Sequence, residues 1–216
     1  MRGATVKLYG YFRSSAAYRV RIALNWKGVA HEHAFVHLLR DGGGQNSPDY
    51  AARNPQKLVP ALEIDDGETL TQSLAIIEYL EEVYPEPPLL PGDAVARARV
   101  RAIAQAVACD IHPLNNLRVL KYLRHRMSLD KEAVDAWYRH WIVTGFGGIE
   151  KMIGEDGFCA GGQVTLADVC LMPQIFNARR YGIDLAAWPR IGRVEQACGA
   201  IPAFAEAHPD RQPDAE

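Results

Sequence analysis

Four prolines fall within residues 84–93, Tyr84-Pro85-Glu86-Pro87-Pro88-Leu89-Leu90-Pro91-Gly92-Asp93. No other stretch limits the possible folds as much. Proline fixes φ and lacks a backbone N–H, so neither a helix nor the interior of a sheet runs through such a segment. It reads as a stiff connector and a domain boundary. Ahead of it, alternating strand patterns and single helices succeed one another; behind it only helical periodicity remains. The expected fold is α/β plus all-α: an α/β domain over residues 1–88, in the order βαβ, loop, ββα, then an all-helical domain over residues 94–216. No internal repeat is present.

The first domain opens with Val6-Lys7-Leu8-Tyr9-Gly10, which alternates as a half-buried strand. Val20, Ala23 and Leu24 then recur at helical spacing, closed by Lys27-Gly28. Ser14 and Ser15 therefore stand where a strand hands over to a helix. A serine oxygen there accepts a backbone N–H, and the positive end of the helix dipole suits an anion such as a thiolate. With Arg13 before them and Arg19 and Arg21 after them, the serines could hold a negatively charged reactant. The alternative is a plain cap with solvated arginines.

His33–37 reads as a second strand. Gly42-Gly43-Gly44 is not followed by Lys-Ser/Thr opening a helix, so it is a flexible loop rather than a phosphate cradle. Gln45 is its most useful side chain for closing over a ligand. Alternation resumes after Val59-Pro60; an X-Pro bond in a tight turn is where a cis peptide occurs, and a cis bond would turn the Val59 N–H and C=O outward toward an extended peptide. Asp65-Asp66-Gly67 signals a hairpin, with residues 68–71 as the return strand. Gln72-Ser73 opens a helix whose apolar face is Leu74, Ile76, Ile77, Leu80 and Val83. Ser73 is the expected N-cap and a second carboxylate-binding spot; a cap alone is the competing reading.

In the second half, residues 94–126 read as one long helical stretch bent at Pro113. Residues 131–153 form a second long helix anchored by Trp137, Trp141, Phe146 and Ile149. Thr165-Leu166-Ala167-Asp168 is a capping-box variant opening a buried helix that ends near Arg179-Arg180. Further helices begin at Trp188-Pro189 and Ile201-Pro202, and the polar tail from Pro209 is expected to fray.

A net charge of −2 gives no bulk electrostatic case for nucleic acid or a membrane surface, and no apolar run is long enough to span a bilayer. Only six of the 24 cations are lysines; arginine grips carboxylates with two prongs, which suits a small acidic substrate. Cys109, Cys159, Cys170 and Cys198 lack metal-ligand or redox spacing and read as reduced packing thiols of a cytoplasmic protein, with no metal site.

Several runs together resemble the cytosolic glutathione transferases of the zeta class. These are Tyr11-Phe12-Arg13-Ser14-Ser15, Arg19-Val20-Arg21-Ile22-Ala23-Leu24, Asn54-Pro55-Gln56 and residues 72–82 from Gln72-Ser73 to Glu81-Glu82. To them are added Ile111-His112-Pro113-Leu114-Asn115-Asn116, the Thr165-x-x-Asp168 box and Arg211-Gln212-Pro213-Asp214. The resemblance implies a thioredoxin-like first domain, a homodimer and glutathione as a regenerated cofactor. Ser15 (or Ser14) would hydrogen-bond its thiolate; one hydrogen bond to an anion contributes about 1.5–3 kcal/mol, enough to ionise much of a thiol near neutral pH. Val59 would pair with its cysteinyl backbone, Gln72 and Ser73 with its γ-glutamyl carboxylate, and Gln45 with its glycine end, while His112 and Asn116 would also contact it. The implied activity is cis–trans isomerisation of a small anionic cis-enoic diketo acid, maleylacetoacetate, by thiolate addition, bond rotation and elimination. Arg13, Arg118 and Arg180 would hold the substrate, with Arg179 as the neighbour able to replace Arg180. Ala16 stands where the zeta pattern commonly has Cys, which leaves maleylpyruvate open as the substrate. A glutathione-conjugating transferase or a non-catalytic glutathione-binding module is the remaining alternative.

Overall fold

The computed structural model describes residues 6–65 and 67–216, which form two compact units: the chain through Pro88 together with Ile201–Glu216, and Leu89–Ala200. The first unit is built on β1 (Val6–Gly10), α1 (Ser15–Trp26), β2 (His31–Phe35), α2 (Pro48–Arg53), β3 (Ala61–Glu63), β4 (Thr69–Thr71) and α3 (Ser73–Val83). Its sheet has the order β2-β1-β3-β4, with β1 parallel to β2 and antiparallel to β3, and β3 antiparallel to β4. That is the expected βαβ-ββα order.

Strand β2 begins two residues earlier than the alternation suggested, pairing Val6 with His31 and Gly10 with Phe35. A shift of two keeps every side chain on its face, so the pattern cannot register it. Asp66 of the expected hairpin lies outside the described residues; around it, Gly67 N–H donates to Ile64 O and Ile64 N–H to Glu68 O, both at 2.9 Å. Helix α1 ends as its sequence requires: Gly28, at φ 64°, donates to Asn25 O, and Val29 donates to Leu24 O. Val20, Ile22, Ala23 and Leu24 are fully buried, and each larger aliphatic among them contributes about 1.5–3 kcal/mol through burial.

Residues 201–216 depart from the sequence expectation. The last helix, Pro202–Glu206, and the short turn Pro209–Arg211 cluster with the first unit rather than with the helical one. The tail is not frayed. Gln212 is buried and its Nε2 donates to Glu206 O and His208 O at 2.9 Å, Phe12 N–H donates to Asp214 Oδ2 at 3.0 Å, and Glu216 pairs with His37 at 2.9 Å and with Arg40. These bonds reach across the whole sequence, which local composition does not reveal.

The second unit contains α4 (Ala94–Gln105), α5 (Leu117–His125), α6 (Lys131–Met152), α7 (Leu166–Arg180) and α8 (Pro189–Gly199). The expected single helix over 94–126 is interrupted: a π-helical turn, Ala106–Ile111, and a 3₁₀ turn, Pro113–Asn115, separate α4 from α5. Asn116 then leaves helical conformation at ψ 144° and caps α5. Helix α7 is buried nearly all round. Its Asp168, fully buried, accepts from Thr165 N–H and Oγ1 and from Cys159 N–H, each at 2.8 Å. Among the described residues no helix is long and apolar enough to cross a membrane.

Candidate active site

In the first unit the turn after β1 delivers Ser14 to the start of α1. Tyr11 O accepts Ser14 N–H at 2.9 Å, closing a four-residue turn, and Ser14 O accepts Tyr18 N–H at 2.8 Å. Ser14 is the N-cap, half-buried, with its Oγ accepting from Ala17 N–H at 3.2 Å. Ser15 is the first helical residue and only 5% exposed. Both serines therefore sit at the positive end of the α1 dipole. Arg13 donates through Nη2 to the Tyr11 hydroxyl at 2.8 Å and lies over the Tyr11 and Phe12 rings, at 5.6 and 5.1 Å. One guanidinium nitrogen is thereby fixed and the remaining donors keep their capacity.

Arg19 and Arg21 are not solvated. Both are buried: Arg19 Nη1 donates to Ser73 Oγ at 3.3 Å, and Arg21 donates to Ala207 O and Phe12 O, both at 3.0 Å. Burial pushes the Arg21 guanidinium down to about 10, while Tyr18 and Asp214 pull it back up. Their place on α1, which packs against α3 and the last helix, turns them inward. Sequence shows their charge but not which way they face.

The start of α3 differs from expectation by one residue. Gln72, not Ser73, holds the N-cap position, at φ 70°, a left-handed conformation uncommon outside glycine. No Gln72 side-chain bond caps the helix; its Nε2 donates instead to Gln56 Oε1 at 2.7 Å. Ser73, 6% exposed, is the first helical residue and is tied to Arg19, so the second turn of α1 and the amino end of α3 are linked through one side chain. Val59–Pro60 is cis. Val59 packs on the cluster of Tyr9, Val36, Tyr50 and Ala61, while its backbone N–H and C=O make no hydrogen bond among the described residues. The glycine-rich stretch forms two short 3₁₀ turns rather than an open loop. Gln45 folds inward there, 9% exposed: Nε2 reaches Leu38 O at 3.5 Å, and a Cβ on Gly43 (φ 94°) would meet its amide at 2.5 Å. Its Oε1 has no partner among the described residues.

In the helical unit, His112 joins the π and 3₁₀ turns, donating its N–H to Val107 O at 3.0 Å. Asn116 Oδ1 accepts Arg118 N–H at 3.1 Å as the cap of α5. The Arg118 side chain is exposed in the first turn of that helix. Arg180 donates to Asn177 Oδ1 at 3.1 Å and lies over the Phe176 and Tyr181 rings at 6.0 and 5.5 Å. Arg179 makes a two-pronged contact with Glu195, at 3.1 and 2.6 Å, which raises its pKa. Glu195 thus occupies Arg179, and Arg180 is the one of the pair with donors to spare.

The family model for the glutathione S-transferase N-terminal domain matches residues 8–88. A maleylacetoacetate isomerase of Pseudomonas aeruginosa is 52% identical over 209 residues, covering 97% of this chain and 98% of that protein. The chain belongs to the glutathione transferase family. Two solved structures show where in the family it falls, both with a TM-score of 0.92, 46% identity and 97% of this chain covered. One is a maleyl pyruvate isomerase described as a bacterial glutathione S-transferase of the zeta class, matched over its whole length. The other is a maleylacetoacetate isomerase of Methylobacterium extorquens AM1 with malonate and glutathione bound, matched over 99%.

Ala16, where the resemblance leads one to expect a cysteine, is buried beside the two serines. All four cysteines lie between residues 109 and 198, in the helical unit. Cys159, Cys170 and Cys198 are buried and Cys109 is exposed. Burial, reinforced by the Asp168 carboxylate, pushes the Cys159 and Cys198 thiols well up. They are packing residues with no thiolate character. Sequence reasoning missed Gln56, which steadies Gln72, and the Phe12 peptide ahead of the serines. Both belong to quoted motifs, but the bonds they make are long-range.

Proposed function

We propose that this transferase is a glutathione-dependent cis–trans isomerase that converts maleylacetoacetate to fumarylacetoacetate. The observation that carries the reading is Ser14: a hydroxyl capping a helix at its positive end, with its own proton left to donate to an anion. The residues present fit the cofactor. Val59 offers an unpaired peptide edge for a peptide ligand, and α3 begins without a side-chain cap, leaving first-turn N–H groups for a carboxylate. Bound glutathione would supply a thiolate nucleophile that adds to the cis double bond and leaves once the carbon–carbon axis has turned.

The chain's own work is to hold charge. Ser14, with Ser15 beside it, keeps the sulfur anionic. Val59, Gln72 and Ser73 orient the tripeptide, and Gln45, His112 and Asn116 complete the contacts that the family resemblance implies. Arg13, Arg118 and Arg180 bind the substrate's carboxylates and stabilise the enolate as charge develops. The close identity to named isomerases supports the same reading, and a homodimer is part of the proposal. Maleylpyruvate is the second reading, favoured by Ala16 and by the zeta-class neighbour of that name. Assaying both substrates with and without glutathione tests the proposal. Maleylacetoacetate should turn over faster, and only with glutathione; isomerisation that ignores its omission would refute the mechanism.

A further inference from the structure

The turn Tyr11-Phe12-Arg13-Ser14 is closed by Ser14 N–H on Tyr11 O, which leaves the N–H and C=O of Phe12 for partners outside the turn. Phe12 is buried, so both groups call for partners within the protein. Two side chains of opposite charge take them. Asp214 Oδ2 accepts Phe12 N–H at 3.0 Å, and Arg21 Nη2 donates to Phe12 O at 3.0 Å. Arg21 also holds Ala207 O, and buried Gln212 ties Glu206 O and His208 O, so the segment presenting Asp214 is itself anchored.

Asp214 lies in the Arg211-Gln212-Pro213-Asp214 run, which no substrate or cofactor contact accounts for. We propose that Asp214 is a positioning residue for the glutathione site: its carboxylate clamps the Phe12 peptide and so fixes the turn that sets Ser14 at the head of α1. This rests on the functional reading above. Charge-assisted bonds to backbone N–H are short and strong, and losing one here leaves a buried donor unpaired. The turn would then loosen and the Ser14 hydroxyl would sit less well against the sulfur. The effect belongs in the ionisation of the cofactor as well as in the fold.

The test measures glutathione affinity and the pKa of the bound thiol, by ultraviolet thiolate absorbance against pH, in the wild type, Asp214→Ala and Asp214→Asn. Asp214→Ala should raise the bound thiol's pKa by about half a unit to one unit and weaken glutathione binding about threefold or more. Asp214→Asn keeps a side-chain acceptor and should restore most of both. An unchanged thiol pKa and affinity in Asp214→Ala would overturn the inference, as would Asp214→Asn behaving like Asp214→Ala. Should Asp214→Ala not fold, hydrogen exchange of the Phe12 amide in the wild type decides the matter: protection supports the clamp, and exchange at the rate of an open loop overturns it. A wild type that binds no glutathione defeats the functional reading itself. Normal binding with an indifferent Asp214→Ala defeats only the clamp.

Discussion

A hydroxyl that accepts a backbone N–H still has its own proton to give, and burial separates the two serines. Ser14 Oγ accepts from Ala17 N–H while remaining half-buried, whereas Ser15 is turned almost entirely inward. On the proposed function Ser14 is therefore the better placed of the two to donate to a cofactor thiolate. Ser14→Ala should lower kcat by at least about tenfold and raise the pKa of bound glutathione's thiol, since a bond to the charged form is lost. It should also cost about 1 kcal/mol of stability, because the cap goes with it. Steady-state kinetics, thiolate titration and urea unfolding read the three effects separately. Ser15→Ala should move the thiol pKa less; the reverse order would transfer the role to Ser15. The sequence placed both serines at the handover because the strand and helix signals flanking them are local. It could not rank them, because burial of Ser15 is a tertiary property.

At the level of elements, α6 meets the π-helical turn so closely that one glycine is required. A Cβ on Gly145 would lie 2.2 Å from Ile111 Cδ1 and 2.4 Å from Cγ1, and Ile111 is buried with a branched, stiff side chain. In an open helix Gly→Ala stabilises by about 1 kcal/mol; here overpacking costs about 1–3 kcal/mol and should win. Gly145→Ala should lower the unfolding midpoint, and pairing it with Ile111→Ala should recover part of the loss in a double-mutant cycle. Additive effects would show that the two residues do not meet. The elements legible in the sequence were those with local punctuation: Gly28 ending α1, Asp168 reaching back in α7, and α6 with its buried Phe146 and Ile149, though Trp137 and Trp141 are only half-buried there. The π and 3₁₀ turns between α4 and α5 were not legible, because apolar spacing survives a small change in helical winding. The tail after Pro209 was not legible either, because its polar residues find partners some two hundred positions away. At the candidate site the same division holds. Ser14 at the head of α1 follows from local pattern, while the N-cap position of Gln72 and the inward turn of Gln45, Arg19 and Arg21 do not.

Across the whole molecule the two units should answer acid in opposite senses. His33 on β2 packs against His31 and Phe35, with ring centroids at 4.8 and 6.0 Å, and burial pushes its pKa down to about 4. His31 and Arg21 lower it further, while Asp214 opposes them. His208, in the same unit, is also lowered, mainly by burial. Between about pH 6.5, where an unfolded histidine takes up its proton, and about pH 4 the unfolded chain binds more protons than the folded one at His33. Stability from this residue is complete above the unfolded value and is lost as pH falls through that window. In the helical unit the sign reverses at Asp168. Burial raises its pKa despite the bonds from Cys159 and Thr165, so its contribution is largest in acid and declines as pH rises through the folded value. Lowering the pH from 7 to about 4.5 should therefore cost amide protection in β1, β2 and α1 before it does so in α6 and α7. Hydrogen exchange followed by mass spectrometry reads the two units side by side. His33→Asn removes the titrating group and should flatten the acid loss in the first unit while leaving the helical one as it was; an unaltered pH profile in that variant would remove His33 as the cause.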